Sequence, residues 1–373
     1  MKNQKKTYNK KIYFDHNATS PVNSKVKKSM LDISRLALNA SSLHSHGRYA
    51  RKIIEESRET IKNILKLNHS YELIFTSGCT EANNIVLNNF HSFKKICSCI
   101  EHQSVLNVIG EGIIPVNING IIDIQFIEKY LINNNKNLLL SVMYANNQIG
   151  TIQPIQQIIE LAKKYKVLLH CDITQAIGRM KVQLDGIDLI TFSSHKFGGP
   201  VGSGALVYKK KLTLIPILKG GGQEFGLRSG TENVVAIHGM ATAFKLLDTM
   251  IEKFQKTVIL KTYLEKKIHD ITDQVIIFGN KVDRLPNTSS ISMPKVAADM
   301  QMMYFDLNGV SISIGSACSS GRINAPKVQL LMGYHQNIAN NALRISFGPF
   351  NTIKEVRYFL QLWKALYLQH CAN

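Results

Sequence analysis

The sequence has no apolar run approaching the roughly 20 residues that cross a bilayer, and its start, Met1-Lys2-Asn3-Gln4-Lys5-Lys6, lacks the apolar segment of a secretory signal. It is read as a soluble, cytoplasmic protein with no membrane partner. Its six cysteines, Cys79, Cys97, Cys99, Cys171, Cys318 and Cys371, include no CxxC and no metal-ligand spacing. No metal site is expected, and disulfides are rare in an intracellular setting. Cys97 and Cys99, two apart in an apolar run, would share one face of a strand and read as core packing. His44 and His46 have no convergent third ligand. No internal repeat is visible.

Acidic residues are scarce, 26 against 45 Lys and Arg, giving a formal charge of +19. A basic surface suits nucleic acid, an acidic partner or an anionic small molecule. Here the lysines are scattered, with small clusters at residues 2–11 and 209–211 and no basic stripe interleaved with aromatics. Direct nucleic-acid binding is not expected.

What is present is an α/β pattern. Across about residues 71–206, short apolar runs alternate with helical patterns, which predicts a mostly parallel sheet with helices on both faces. Five runs end in polar clusters: Thr76 to Thr80, Glu101-His102-Gln103, Asn146-Asn147, Asp172, and Ser193-Ser194-His195-Lys196. Ligands of open α/β sheets bind beyond the carboxyl ends of the strands, so these clusters should meet at one site. After about residue 247 the pattern changes to a long amphipathic helix, strand candidates at 275–278 and 289–293, and helices from Ile353 onward. This predicts a large domain at 16–247 and a smaller α/β domain formed by 1–15 and 248–373.

Lys196 ends a strand-like run and is followed by Phe197-Gly198-Gly199-Pro200-Val201-Gly202-Ser203-Gly204. A lysine forms a Schiff base only as the neutral amine, so it needs a rigid support and surroundings that lower its pKa; glycines let backbone approach a ligand. Gly78-Cys79-Thr80, between a strand and a predicted helix at 81–90, offers backbone N–H groups and a hydroxyl to a phosphate, although helix capping alone would also explain it. Asp172, if buried, must be paired, and a protonated pyridine nitrogen is a suitable partner. His102 is placed either to stack on a flat ring or to be hydrogen-bonded in place. A lysine, a carboxylate, a stackable histidine and a phosphate cradle together describe a pyridoxal phosphate site.

Several strings then resemble the group I cysteine desulfurases of the NifS/IscS type, in the class V aminotransferase superfamily. They are Phe14-Asp15-His16-Asn17-Ala18-Thr19, Phe75-Thr76-Ser77-Gly78-Cys79-Thr80-Glu81, Asn146-Asn147-Gln148-Ile149-Gly150, Asp172-Ile173-Thr174-Gln175, Ser193-Ser194-His195-Lys196, Gly220-Gly221-Gly222-Gln223-Glu224, Arg228-Ser229-Gly230-Thr231 and Gly315-Ser316-Ala317-Cys318-Ser319-Ser320. The resemblance runs in order over nearly the whole chain. It implies the fold-type I architecture of pyridoxal phosphate-dependent transferases, as a homodimer.

By position, the resemblance implies that Lys196 bonds the cofactor, Asp172 pairs with its ring nitrogen and His102 stacks on the ring. It implies that Asn147 and Gln175 lie near the cofactor, and that Cys79, Thr80, Ser193 and His195 hold the phosphate, with Thr231 reaching it from the other subunit. Arg344 would grip the substrate carboxylate beside Asn147. Cys318, in a small, polar loop at about 312–326 suited to swing between donor and acceptor, would take sulfur from L-cysteine as a persulfide, leaving alanine, with His102 moving a proton near the leaving sulfur. The sulfur would pass to an iron–sulfur scaffold or a tRNA-thiolation relay, with a transient iron–sulfur cluster contact at Cys318 as a further partner. Ala40, Gln148 and Ser194 depart from the family pattern, and Ile173 is bulkier than the residue usual beside the ring-facing aspartate; none removes a group the chemistry requires. Competing readings are a selenocysteine lyase or aminotransferase of the same branch, and an idle scaffold binding through its basic surface. The long serine-rich loop at Cys318 favours the group I desulfurases over the compact-loop group II type, and retention of Lys196, Asp172, Arg344 and Cys318 argues against the scaffold.

Overall fold

Every residue of Leu138–Met143 is buried, the mark of a central strand covered on both faces. The computed structural model describes residues 11–110, 114–134, 136–315 and 327–371 and places this strand in a six-stranded sheet. In chain order the first elements are β1 (Ile12–Tyr13), α1 (Ser24–Ile33), α2 (Ser45–Ile64), β2 (Tyr71–Thr76), α3 (Cys79–Asn89), β3 (Lys94–Cys97), α4 (Gln103–Ile109), α5 (Ile124–Asn133), β4 (Leu138–Met143), α6 (Ile155–Tyr165), β5 (Leu168–Asp172), β6 (Leu189–Ser193) and β7 (Gly204–Lys209). There follow α7 (Val234–Lys245), α8 (Leu247–Gln255), α9 (Val258–His269), β8 (Ile276–Ile277), β9 (Thr288–Ser292), α10 (Ala298–Leu307), β10 (Val310–Ser311), α11 (Lys327–Leu331), α12 (Gln336–Asn340), β11 (Ala342–Ser346) and α13 (Ile353–Cys371).

The large sheet runs in the order β2-β7-β6-β5-β4-β3. Neighbours from β3 to β6 are parallel, and β7 is antiparallel to both β6 and β2. The period-2 alternation of side chains assigns each face its core. Leu73, Phe75, Leu138, Leu140, Ala205 and Val207 face one apolar cluster, while Ile74, Leu139, Leu206 and Tyr208 face another. Helix α3 covers the second face with Ala82, Ile85 and Val86. Helix α6 covers the first with Ile155, Ile158, Ile159 and Ala162, the i, i+3, i+4, i+7 stripe of an amphipathic helix, and ends at Lys166 in the left-handed conformation.

A three-stranded antiparallel sheet, β11-β9-β8, packs with α9, α10 and α13 around its own apolar cluster of Phe305, Phe347, Phe359 and Trp363. The chain's first described strand joins this cluster: β1 pairs with β10, and Phe14 packs on Phe347 at 5.0 Å between ring centres. The predicted long helix after residue 247 is two helices, α8 and α9. The Thr257 hydroxyl turns back onto the Phe254 carbonyl at 2.6 Å where they meet. Strand β3 stops at Cys97, so Cys99 is not its face partner: Cys97 is fully buried and Cys99 only partly. Among the described residues no single helix is long and apolar enough to cross a membrane.

A buried ion pair fixes the loop between β7 and α7. Arg58 on α2 donates to both Glu224 carboxylate oxygens, at 2.9 and 3.1 Å, and to the Leu73 carbonyl, while Glu224 accepts from the Phe75 amide at 2.7 Å. Burial opposes the Arg58 charge, and the bonds and charge of Glu224 more than restore it, raising its pKa. The loop's Glu224 and Phe225 are both in left-handed backbone conformations, which the pair holds in place. Glu224→Ala would leave a buried guanidinium unmatched and is expected to cost about 3–5 kcal/mol of stability, read as a lower urea midpoint. A change under about 0.5 kcal/mol would show that the pair does not hold this loop.

Candidate active site

The carboxyl ends of β2, β4, β5 and β6 open onto one cavity of about 320 Å³, within the usual range for a cofactor site. Ten of the residues singled out in the sequence line it: Cys79, Thr80, His102, Asn147, Asp172, Gln175, Ser193, His195, Lys196 and Arg344. Thr231 does not, and it is exposed on the β7–α7 loop. Cys318 lies outside the described residues.

Asp172 ends β5 and is buried at the cavity wall. Its carboxylate accepts from the Thr174 amide at 2.9 Å, Asn83 Nδ2 at 3.1 Å and the Cys79 thiol at 3.3 Å. Burial penalises its charge, but the hydrogen bonds from Thr174 and Asn83 outweigh that, so its pKa lies below the usual carboxylate range. The Cys79 thiol is driven the other way, well up, by burial and by the Asp172 charge, and stays protonated.

Because a carboxylate only accepts, Asn83 must turn its amide nitrogen to Asp172. The same nitrogen donates to Ser104 Oγ at 2.8 Å, and Asn83 Oδ1 accepts from the Thr191 hydroxyl at 2.6 Å. Ser104 Oγ therefore donates to His102 Nδ1 at 2.8 Å, which also accepts the Ser104 amide. A neutral His102 thus carries its hydrogen on Nε2. On the other branch Thr191 accepts from His170 Nε2 at 3.0 Å, leaving His170 Nδ1 to accept from Ser141 at 2.8 Å. Burial takes His170 down to about 4, so it is a neutral core histidine.

Lys196 sits in a single 3₁₀ turn directly after β6. Its Nζ donates to the Asn17 and Ala18 carbonyls at 2.8 and 2.6 Å, drawing the N-terminal segment over the cavity. His195 Nδ1 meets Thr19 Oγ1 at 3.1 Å, and burial, with Lys196 and Arg179 adding, lowers it to about 4. Gly204, expected to admit a ligand, instead admits protein: a Cβ there would stand 2.7 Å from the Gly78 backbone. The close approach seats the start of α3, which has no side-chain cap, against β7. The first N–H groups of a helix have no acceptor within it, so this end suits an anion.

Arg344 is buried on β11, donating to Asp15 at 2.5 Å and to the Asn147 carbonyl at 3.0 Å, and among the described residues its Nε is unpartnered. Ile173 packs in the main core away from the cavity, so its bulk does not intrude. Sequence reasoning missed Asn17, Asn83, Thr174 and Arg179. Of these, Asn83 had a signal, since it stands four residues after Cys79 on the same helix face.

Two buried histidines, His16 and His170, and the partly buried His195 set an acid limit. Burial, with Arg179 adding, lowers His16 to about 3, and His170 and His195 lie near 4. Unfolding frees each to bind a proton at its ordinary pKa of about 6.5, so the unfolded state gains protons that the folded state refuses. Stability is therefore intact above that value and falls as pH drops from it toward 4. The melting temperature of the cofactor-free protein should decline steadily from about pH 7 to about pH 5; a flat profile would contradict the burial of these rings.

Comparison with known proteins follows the same geometry. The Aminotransferase class-V family model matches residues 12–359. The chain is 34% identical to "Cysteine desulfurase IscS" of Dictyoglomus turgidum, over 95% of this chain and 93% of that one. It superposes on a NifS-like protein from Rickettsia africae with a TM-score of 0.89 at 35% identity, covering 96% and 99% of the two chains. A structure of SspA in complex with cysteine matches at 28% identity and a TM-score of 0.77, over 91% of this chain and 100% of that one. With kinship of this extent added to the ordered motifs and the cavity they build, the chain belongs to the class V aminotransferase family, among the cysteine desulfurases of the NifS/IscS type.

Proposed function

We propose that the chain is a pyridoxal phosphate-dependent cysteine desulfurase that takes sulfur from L-cysteine onto Cys318 and releases alanine. The observation that carries this reading is the meeting of Lys196, Asp172 and Arg344 in one cavity. The family depends on pyridoxal phosphate, and the donor set fits that group. A buried carboxylate held below its usual pKa matches a ring nitrogen, an uncapped helix start matches a phosphate, and among the described residues the buried Arg344 Nε lacks a partner. The cysteine bound to the related SspA supports the choice of substrate.

Pyridoxal phosphate, when bound, supplies an electron sink for the pair left at the substrate's Cα. Asp172 would keep a proton on the ring nitrogen, Gln175 would offer Nε2–H to the phenolic oxygen, and His102 would lie against the ring. Thr80, Ser193, His195, Cys79 and the α3 N-terminus would hold the phosphate. Arg344, with Nε still unused, would bind the substrate carboxylate beside Asn147. The Lys196 amine would move the proton at Cα. The Cys318 thiolate then bonds to the substrate sulfur as the Cβ–S bond breaks; the bonding pair stays on Cβ, which takes a proton, and the carbon skeleton leaves as alanine. His102, whose Nε2 carries the hydrogen, is the nearby group for proton transfer at the departing sulfur.

On this reading a cytoplasmic homodimer is the working unit. Exposed Thr231 reaches a second copy's phosphate site, and exposed Ile215, Ile217, Leu218 and Phe225 on the same loop support that contact. Residues 16–247 form the large domain and 1–15 with 248–373 the small one, a division supported by their separate apolar clusters. The persulfide passes to an acceptor protein, an iron–sulfur scaffold or a tRNA-thiolation relay.

The test is cofactor uptake followed by L-cysteine addition to wild type and Cys318→Ala. Both should turn yellow with pyridoxal phosphate. Only the wild type should yield alanine and a persulfide, with turnover in Cys318→Ala reduced by about 100-fold or more. A colourless wild type would overturn the assignment, and a yellow enzyme indifferent to Cys318 would move it to the lyases or aminotransferases of the same branch.

A further inference from the structure

Arg179 stands outside the cavity wall, fully buried in the turn after β5. A buried guanidinium normally has a carboxylate beside it. Among the described residues none pairs with Arg179. Its NH1 donates to the Gln175 carbonyl at 2.7 Å and to Gln175 Oε1 at 2.6 Å, and its NH2 to the His16 carbonyl at 3.0 Å and the Lys196 carbonyl at 3.4 Å. The Phe254 ring lies 5.4 Å from the guanidinium carbon, and among the described residues Nε has no partner. Burial, with Arg344 adding, lowers its pKa to about 9, which leaves it charged at neutral pH.

These bonds touch three segments that the site needs in register: the turn after β5, the N-terminal strap at His16, and the turn carrying Lys196. The bond to Gln175 Oε1 also has a chemical consequence. An arginine has no acceptor, so only the amide oxygen can face it, and the amide nitrogen is forced to the other side. There Nε2 donates to the Asn17 carbonyl at 3.1 Å, at the cavity edge. An uncommitted glutamine could present either oxygen or nitrogen to a ligand. This one presents only a donor.

We propose that Arg179 is a positioning residue that locks the Gln175 amide as a hydrogen-bond donor toward an anionic oxygen in the cavity, and that it spends its buried charge on this orientation. The inference rests on the reading of the cavity as a pyridoxal phosphate site, where that oxygen is the cofactor's phenolic one. A donor at a phenolate favours the state with one proton fewer, so losing it should raise the pH at which the bound cofactor's visible band changes.

The experiment is a pH titration of that band, with cofactor affinity, in full-length protein carrying Arg179→Met, Arg179→Lys, Gln175→Leu and the Met/Leu double substitution. Arg179→Met should raise the midpoint by about one pH unit and weaken cofactor binding about tenfold, the size of one hydrogen bond near a charge. Gln175→Leu should move it the same way. The double variant should go no further than Gln175→Leu, because the arginine acts through the amide. Arg179→Lys keeps the charge but not the fork and should recover only part of the shift. Should Arg179→Met fail to fold, Arg179→Lys against Gln175→Leu makes the same comparison. A wild-type midpoint in the arginine variants, or additive shifts in the double variant, would overturn the proposal while the wild type stays yellow. A wild type that takes up no pyridoxal phosphate would remove the reading of the site and this inference with it.

Discussion

A charged carboxylate at the buried end of a parallel strand is the constraint around which this molecule is arranged. Asp172 loses its water on folding, a cost that rules out an unpaired charge there. The structure meets it with the Thr174 amide, Asn83 and the Cys79 thiol. Each donor is itself fixed: Asn83 by Thr191 and Ser104, Cys79 by the first turn of α3, Thr174 by the turn after β5. One network therefore ties β5, β6, α3 and the start of α4 into a single polar layer beneath the cavity. Its proton directions follow from the acceptor-only carboxylate outward, ending with Nε2–H on His102. Nothing in that layer can turn over without leaving a buried group unmatched, which is why the site is preorganised.

The opposite wall is built from the other apolar cluster. The N-terminal strap is hydrogen-bonded between β10 and β11, then runs on through Asn17 and Ala18 to Lys196. Arg344, on β11, reaches back to Asp15 in the strap and to Asn147 after β4. The two walls thus come from two apolar cores, which a third cluster joins where Ile100 and Ile149 pack with Phe278, Val328 and Ala342. A change in how the two cores sit would move Arg344 relative to Lys196, the geometry on which the proposed proton transfer at Cα would depend.

The fold was legible where side chains obey a simple period. Apolar runs such as Leu138 to Met143 mark central strands because both faces are covered. Strand ends were less legible: the apolar pattern of β5 stops before its last residue, Asp172, whose polarity serves the site and not the sheet. The break between α8 and α9 depends on one threonine hydroxyl, which helical periodicity does not encode. In the site, Lys196 and Asp172 stood out because reactive side chains at strand ends carry chemistry on their face, whereas Arg344, in the middle of β11, stood out only through the family resemblance. Asn83 and Arg179 did not, because an asparagine within a helix and an arginine in a turn gain meaning only from what they touch. Asn17 was equally hidden, since it acts through its backbone carbonyl.

On the proposed function, Asp172 stays charged in order to hold a proton on the bound ring. The most direct measurement is alanine formation from L-cysteine by Asp172→Asn beside the wild type, with cofactor content measured in both. Asparagine keeps the shape and can still bond to its neighbours, but it cannot stabilise a positive ring nitrogen. The account predicts a variant that retains its cofactor and loses activity by about 100-fold or more. An Asp172→Asn enzyme with full cofactor and near wild-type alanine production would contradict it.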